Sequence, residues 1–304
     1  MKRREFLTSS AGAGLSLLGA GKLAQAVSAE RGERGKEGLH FKYAPRLGFL
    51  ADELSIPQRL EKFSQHGFFA IEYNGLMSHP RAEVGEMRKK LDSLGIEMGI
   101  FVANPNGWET AGLCDPAERA NFLTDLRKAV EYHRIIGNNF CTVITGPEKP
   151  AIPRNQQKQN VIDGLKAAAE ILEPTELTIV VEPLNVLVNH AGYFLVYSEE
   201  AAEIMEAVGS PKVKILFDIY HQQISEGNLI NNIRKHLPYI GYFQVGDVPG
   251  RKEPGTGEVN WQNVFKAIYD TGYRGILGME HGLSVPGEKG LLKCFAEYRR
   301  ADNW

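Results

Sequence analysis

Short apolar runs alternate with longer amphipathic segments along most of this chain. RLGFL (46–50), FFAIEY (68–73), EMGIFVAN (97–104), NFCTVIT (139–145), LTIVVEP (177–183), VKILFDIY (213–220), YIGYFQVG (239–246) and GILGME (275–280) read as strands. Their apolar residues run on rather than alternate, which is the pattern of strands covered on both faces in a parallel sheet. Between them, IPQRLEKFSQHG (56–67), PRAEVGEMRKKLDSLG (80–95) and DPAERANFLTDLRKAVEYHRIIG (115–137) carry helical spacing. In the third, Asp115 suits an N-cap, Pro116 the first helical position and Gly137 a stop. Its apolar residues Phe122, Leu126, Ala129 and Val130 share one face. LLKCFAEYRR (291–300) reads as the last helix. About eight strand–helix alternations predict an α/β fold, a single (β/α)8 TIM barrel over residues 45–304. A doubly wound sheet fits less well, since no Gly-rich phosphate turn follows the first strand.

The first residues depart from this pattern. MKRREFLTSS joins Arg3-Arg4 to Phe6-Leu7, then come the mildly apolar AGAGLSLLGA and two small-residue cleavage patterns, AQA and VSA. This resembles a bacterial twin-arginine signal. The expectation is a signal peptide over residues 1–29, delivery by the twin-arginine export machinery, and a periplasmic mature protein; without use of the signal the protein stays cytoplasmic. Residues 30–44, charged and Gly-rich, read as a linker or loosely ordered arm.

Of the 304 residues 43% are apolar and 24% charged, with a formal net charge of −2, which leaves ample material for a core. There is no basic surplus of the kind nucleic acid binding calls for. No apolar run approaches the roughly 20 residues of a spanning helix. Cys114, Cys141 and Cys294 are too few and too widely spaced for a disulfide framework or a zinc knuckle, and Cys141 and Cys294 read as buried thiols.

Four strand ends carry the candidate chemistry. Glu182, Asp218, Gln244 and Glu280 each end or follow one of four consecutive strands, and a parallel barrel gathers such residues at its catalytic mouth. Three carboxylates and an amide oxygen form a hard oxygen cage suited to a divalent metal ion, Mn²⁺ or Mg²⁺ rather than zinc. A lone carboxylate after a strand is more often a helix cap or a salt-bridge partner. Four placed alike are harder to explain so, because burying them together without a cation is costly. His221, three residues past Asp218, is placed to lean over the metal and hydrogen-bond a substrate oxygen. Arg251, in the Gly/Pro-rich loop after Gln244, suits a forked grip on a substrate carboxylate. Glu72 is read as a contact to a substrate hydroxyl, a supporting group behind the site, or a structural ion-pair partner. Asn104 before Pro105 is either a turn residue or a pocket contact, and Trp108 on the same loop is a candidate cover.

The segments EPLN, FDIYHQQISEGNL, QVGDVPGRKEPGTGEVN and GMEHG resemble the hydroxypyruvate isomerase family of xylose isomerase-like barrels, which has ketose 3-epimerases as relatives. The resemblance runs from about Leu47 to the C-terminus. It implies that Glu182, Asp218, Gln244 and Glu280 ligate a divalent metal, that Glu182 and Glu280 form the acid–base pair, and that His221 and Arg251 contact substrate. It further implies a small keto acid or sugar as substrate and leaves homo-oligomerisation open. The expected reaction is aldose–ketose isomerisation by proton transfer through an enediolate. Ketose 3-epimerisation, a keto-sugar lyase or dehydratase reaction, and a non-catalytic periplasmic sugar-binding role remain alternatives.

Overall fold

The computed structural model describes residues 38–304 apart from Asp52. The signal read at 1–29, and the part of the arm before residue 38, lie outside them. The strands are β1 (Lys42–Pro45), β2 (Ala70–Ile71), β3 (Glu97–Met98), β4 (Phe140–Val143), β5 (Thr178–Val181), β6 (Val213–Asp218), β7 (Ile240–Gln244) and β8 (Ile276–Met279). Six of them form a parallel sheet in the order β1-β8-β7-β6-β5-β4, and β2 pairs in parallel with β3. Parallel bridges Arg46↔Glu72 and Val102↔Thr142 join the two pieces. There the Glu72 N–H donates to the Pro45 carbonyl at 3.0 Å, and the Ala103 N–H donates to the Thr142 carbonyl at 2.8 Å. The ring of strands follows chain order, as a TIM barrel requires.

Outside the strands lie α1 (Ile56–Gln65), α2 (Arg81–Leu94), α3 (Arg119–Ile136), α4 (Arg154–Leu172), α5 (Ser198–Val208), α6 (Ile219–Ser225), α7 (Leu229–His236), α8 (Trp261–Asp270) and α9 (Gly287–Ala301). Asp115 caps the short turn leading into α3, its Oδ1 accepting the Ala117 N–H at 2.9 Å. Gly137 ends α3 in the left-handed region at φ 74°, where a residue without Cβ bears no penalty. Phe122, Leu126 and Ala129 are buried on the inner face of α3. Truncating Phe122 to alanine would cost about 3–5 kcal/mol on the usual scale for core aromatics. Among the described residues no helix is long and apolar enough to cross a membrane.

The first strand corrects the sequence reading. RLGFL forms turns and one bridge, while KYAP just before it makes β1. Residues 42–44, read as part of the arm, thus belong to the barrel sheet. The signal was masked by composition: an ion-pairing Lys42 opens the strand, and Leu47, Phe49 and Leu50 are buried without being extended.

The interior explains the site. Ile100, Val180, Leu216 and Tyr242 form a small cluster of their own, packed against Phe140 and Ile276. Side chains along a strand alternate faces, so the residues two further on also point inward. These are Val102, Glu182, Asp218, Gln244, Thr142 and Gly278. An apolar plug therefore floors a polar ring at the C-terminal mouth of the strands.

Candidate active site

Above that ring opens a cavity of about 420 Å³ whose walls include Glu182, His221, Gln244, Arg251, Glu280, Trp108 and His190. Register sets the acids in place. Asp218 on β6 is the partner of Gln244 on β7, and Gln244 in turn faces Gly278, two residues before Glu280. Glu182 follows the last residue of β5. Asp218 is fully buried, and the side chains of Glu182 and Glu280 are 11% and 12% exposed.

Three carboxylates share this space, bridged by the side chains of two other residues. The Arg251 Nη2 atom lies 3.1 Å from Asp218 Oδ2 and 3.8 Å from Glu280 Oε1. His221 Nε2 lies 3.5 Å from Asp218 Oδ2 and 4.0 Å from Glu182 Oε1. Burial pushes the Glu182 carboxyl well above the usual range, and the charges of Asp218 and Glu280 push it further. Asp218 is raised to about 6, chiefly by burial, with Arg251 opposing. Among the described residues, Gln244 Oε1 and Glu280 Oε2 are buried atoms without a hydrogen-bond partner. Crowded acids with oxygens that lack hydrogen bonds are the surroundings a divalent cation relieves, and an all-oxygen set suits a hard ion. The residues present fit such an ion.

Glu182, Asp218 and His221 also each offer one atom within 4.8 Å of the others, the spacing of a three-residue metal group. Hydrogen bonds fix the tautomer of the His221 imidazole. The backbone N–H of Asn185 donates to His221 Nδ1 at 3.2 Å, and the Asn185 side-chain amide lies 2.7 Å from the same nitrogen. A nitrogen that accepts a backbone N–H carries a lone pair, so in the neutral ring the proton sits on Nε2. Burial first, then Arg251 and His190, lower the His221 pKa to about 2, so the ring is neutral. Nε2–H is a donor aimed at the acids and the cavity, which suits a substrate oxygen better than a metal.

Arg251 lies at the mouth in a left-handed conformation, φ 51°. Its Nε donates to the Glu280 carbonyl at 3.0 Å and its Nη2 to Asp218. Its guanidinium also stacks over Tyr220, 4.8 Å from the ring centre. The acids have drawn in the fork that the sequence reading aimed at a substrate carboxylate. Asp247, not singled out from the sequence, builds the loop: its carboxylate accepts the backbone N–H groups of Val248, Gly255, Gly257 and Val259. The signal was present in the Gly-Asp-Val-Pro-Gly turn, where an acid before a tight loop commonly gathers backbone donors.

Two sequence-predicted contacts lie elsewhere. Asn104 is fully buried and spends its amide as a staple: Nδ2 donates to the Ala111 and Ile144 carbonyls, and Oδ1 accepts the Ile144 N–H. It is absent from the cavity wall, and the turn-residue reading describes it. Glu72 is 1% exposed and lies behind the ring, its Oε2 accepting from Gln244 Nε2 at 3.1 Å. Trp108 lines the cavity and stacks on His190 with ring centres 5.4 Å apart, so His190 belongs to the wall as well. Arg46 was also missed; its Nε lies 3.6 Å from Glu280 Oε2.

Residues 60–294 match the xylose isomerase-like TIM barrel family, to which the chain belongs. The chain is similar to the hydroxypyruvate isomerase of Escherichia coli, 29% identical over 253 residues that cover 82% of this chain and 96% of the relative. It is 30% identical to the 2-oxo-tetronate isomerase of Cupriavidus necator over 243 residues, 79% of this chain and 92% of the relative. A solved structure of AP endonuclease, family 2, from Brucella melitensis aligns with a TM-score of 0.75 at 26% identity, covering 82% of this chain and 96% of that one. Within these barrels the chain is an isomerase of the hydroxypyruvate isomerase family.

Proposed function

We propose that this enzyme is a divalent-metal-dependent aldose–ketose isomerase acting on a small keto acid or sugar. The observation that carries the reading is the crowding of Glu182, Asp218 and Glu280 beside a Gln244 Oε1 without a hydrogen-bond partner and a Glu280 Oε2 reached only by Arg46 at 3.6 Å. A divalent ion held by Glu182, Asp218, Gln244 and Glu280 would supply positive charge beside substrate oxygens that become negative as a carbon-bound proton leaves. Glu182 and Glu280 come from strands separated by β6 and β7, so they approach a substrate in the cavity from different sides. A proton is lost from one carbon and regained at its neighbour, and these two carboxylates are the groups to move it. His221 Nε2–H donates to a substrate oxygen and holds it in place. Trp108 and His190 narrow the cavity and keep water from the reacting carbons.

The test is deuterium uptake from D₂O into hydroxypyruvate and a panel of ketoses, with Mn²⁺ present. Metal-dependent exchange and turnover, abolished in Glu182→Gln and Glu280→Gln, support the reading. Exchange at one carbon with inversion and no carbonyl migration would make the enzyme an epimerase instead. Binding without any exchange would turn the reading to a sugar-binding protein. We propose further that the enzyme works outside the cytoplasm, on the strength of the Arg3-Arg4 pair and the cleavage patterns that follow it. An Arg3→Lys, Arg4→Lys variant that reached the periplasm as well as wild type would sink that part.

A further inference from the structure

Gln244 is the one proposed metal ligand whose side chain has two chemically opposite ends. Its oxygen can meet a cation and its NH₂ group cannot. An amide free to turn about its last bond would present the wrong end part of the time. On the barrel axis side, Glu72 settles the choice. Gln244 Nε2 donates to Glu72 Oε2 at 3.1 Å, and Gln244 Oε1 is left buried and without a hydrogen-bond partner among the described residues. A carboxyl group keeps an acceptor oxygen whether or not it is protonated, so it can receive the NH₂ group as it does here.

Room for Glu72 is built into the next strand. Gly278 is Gln244's register partner, and a Cβ there would come within 1.8 Å of Glu72 Oε1. Glu72 itself is 1% exposed and does not line the cavity, so it is out of reach of substrate. Burying a carboxyl there costs stability unless its oxygens find partners. A group placed so expensively behind the site needs a task there.

We propose that Glu72 is a positioning residue that locks the Gln244 amide with its oxygen toward the metal position, and so sets metal affinity without touching metal or substrate. This rests on the metal-dependent reading above. Partners that orient metal ligands typically change affinity by about 10–100-fold when removed.

The test measures Mn²⁺ binding to the purified enzyme by the loss of free-ion EPR signal, with no substrate present. Glu72→Met, unbranched and without an acceptor, should weaken binding about 10–100-fold. Glu72→Gln, which keeps an acceptor oxygen, should recover most of it. In a Gln244→Glu background both ends of the ligand are oxygens, so Glu72→Met should have little further effect or a favourable one. Thermal unfolding of the apo-proteins identifies any variant that fails to fold, and the Glu72→Gln comparison stands without Glu72→Met. Equal Mn²⁺ affinity in Glu72→Met and wild type would overturn the proposal. So would an equal loss in the Gln244→Glu background, which would mark general loosening, or a Glu72→Gln variant as weak as Glu72→Met. If wild type itself binds no Mn²⁺ or Mg²⁺, the metal reading fails first and this inference falls with it.

Discussion

Asn185 grips His221 from the far side, its backbone N–H 3.2 Å and its side-chain amide 2.7 Å from Nδ1. The pair reaches across from the end of β5 to the start of α6, and the Asn185 side chain is itself held by hydrogen bonds to the Val188 and Asn189 N–H groups. The consequence is chemical: the imidazole faces the acids as a donor. An aspartate at 185 would favour a proton on Nδ1 and turn Nε2 into an acceptor facing other acceptors. Asn185→Asp is expected to lower kcat/KM by about 10–100-fold, the scale of other orienting partners. Nitrogen NMR of the His221 ring should report the change of tautomer, and an unchanged Nε2–H signal with unchanged turnover would refute the argument.

On the proposed metal-dependent reading, Glu182 sets stability against function. Its carboxyl is buried beside Asp218 and Glu280, and its pKa is raised by burial and by their charge. Without metal, removing that charge relieves repulsion, so Glu182→Gln should stabilise the apo-protein by about 1 kcal/mol or more. With metal the order reverses. A ligand at a hundred times its Kd stabilises wild type by about 2.7 kcal/mol, and the variant should forgo most of this. Melting curves with EDTA and with Mn²⁺ should cross; parallel shifts in both proteins would count against a metal ligated by Glu182.

What could be read from the sequence divides along physical lines. Strands β4 to β8 were legible because each is an apolar run buried on both faces, and β5 to β8 end in or just before a polar residue. The polar strand ends could be found for the same reason, since period-2 geometry turns Glu182, Asp218 and Gln244 inward once the strand is placed. β1 was hidden because KYAP is short and begins with a charged residue, while RLGFL, richer in apolar side chains, buries them from turns. Side-chain hydrogen bonds were out of reach. Nothing in the string indicates that Asn104 closes on Ile144, that Glu72 holds Gln244, or that Arg251 folds back onto Asp218, because each partner lies 33 or more residues away.

Asp247 carries the loop that bears Arg251. Its two oxygens accept four backbone N–H groups at 2.8 to 3.3 Å, and its own carbonyl accepts the Arg251 N–H at 3.0 Å. Asparagine has one oxygen for this work and sets an NH₂ group against the remaining donors. Asp247→Asn should therefore cost about 1–3 kcal/mol for donors left unsatisfied. Amide exchange should accelerate at Gly255 and Gly257 before it does in the strands. KM should rise more than kcat falls if Arg251 mainly positions substrate, and kcat alone should fall if it stabilises charge during the reaction. Unchanged exchange at those two glycines would show that the carboxylate is dispensable.

The other end of the molecule offers a pH dependence free of the active site. Asp302 is 3% exposed, its Oδ2 accepts the His40 N–H at 2.7 Å, and its pKa is raised to about 6, first by burial, with the His40 contacts opposing. An aspartate in the unfolded chain titrates near 3.9. The native state thus holds the proton more tightly, and this contribution to stability is complete below about pH 4. It drains away as pH rises toward 6, where the native carboxyl ionises too. A shift of roughly two units caps the effect at about 3 kcal/mol. Asp302→Asn cannot ionise, so its stability relative to wild type should climb between pH 4 and 6 and level off above. Urea unfolding of both proteins at half-unit steps would display the difference, and a flat difference across that window would mean that burial of Asp302 is balanced by its contacts to His40.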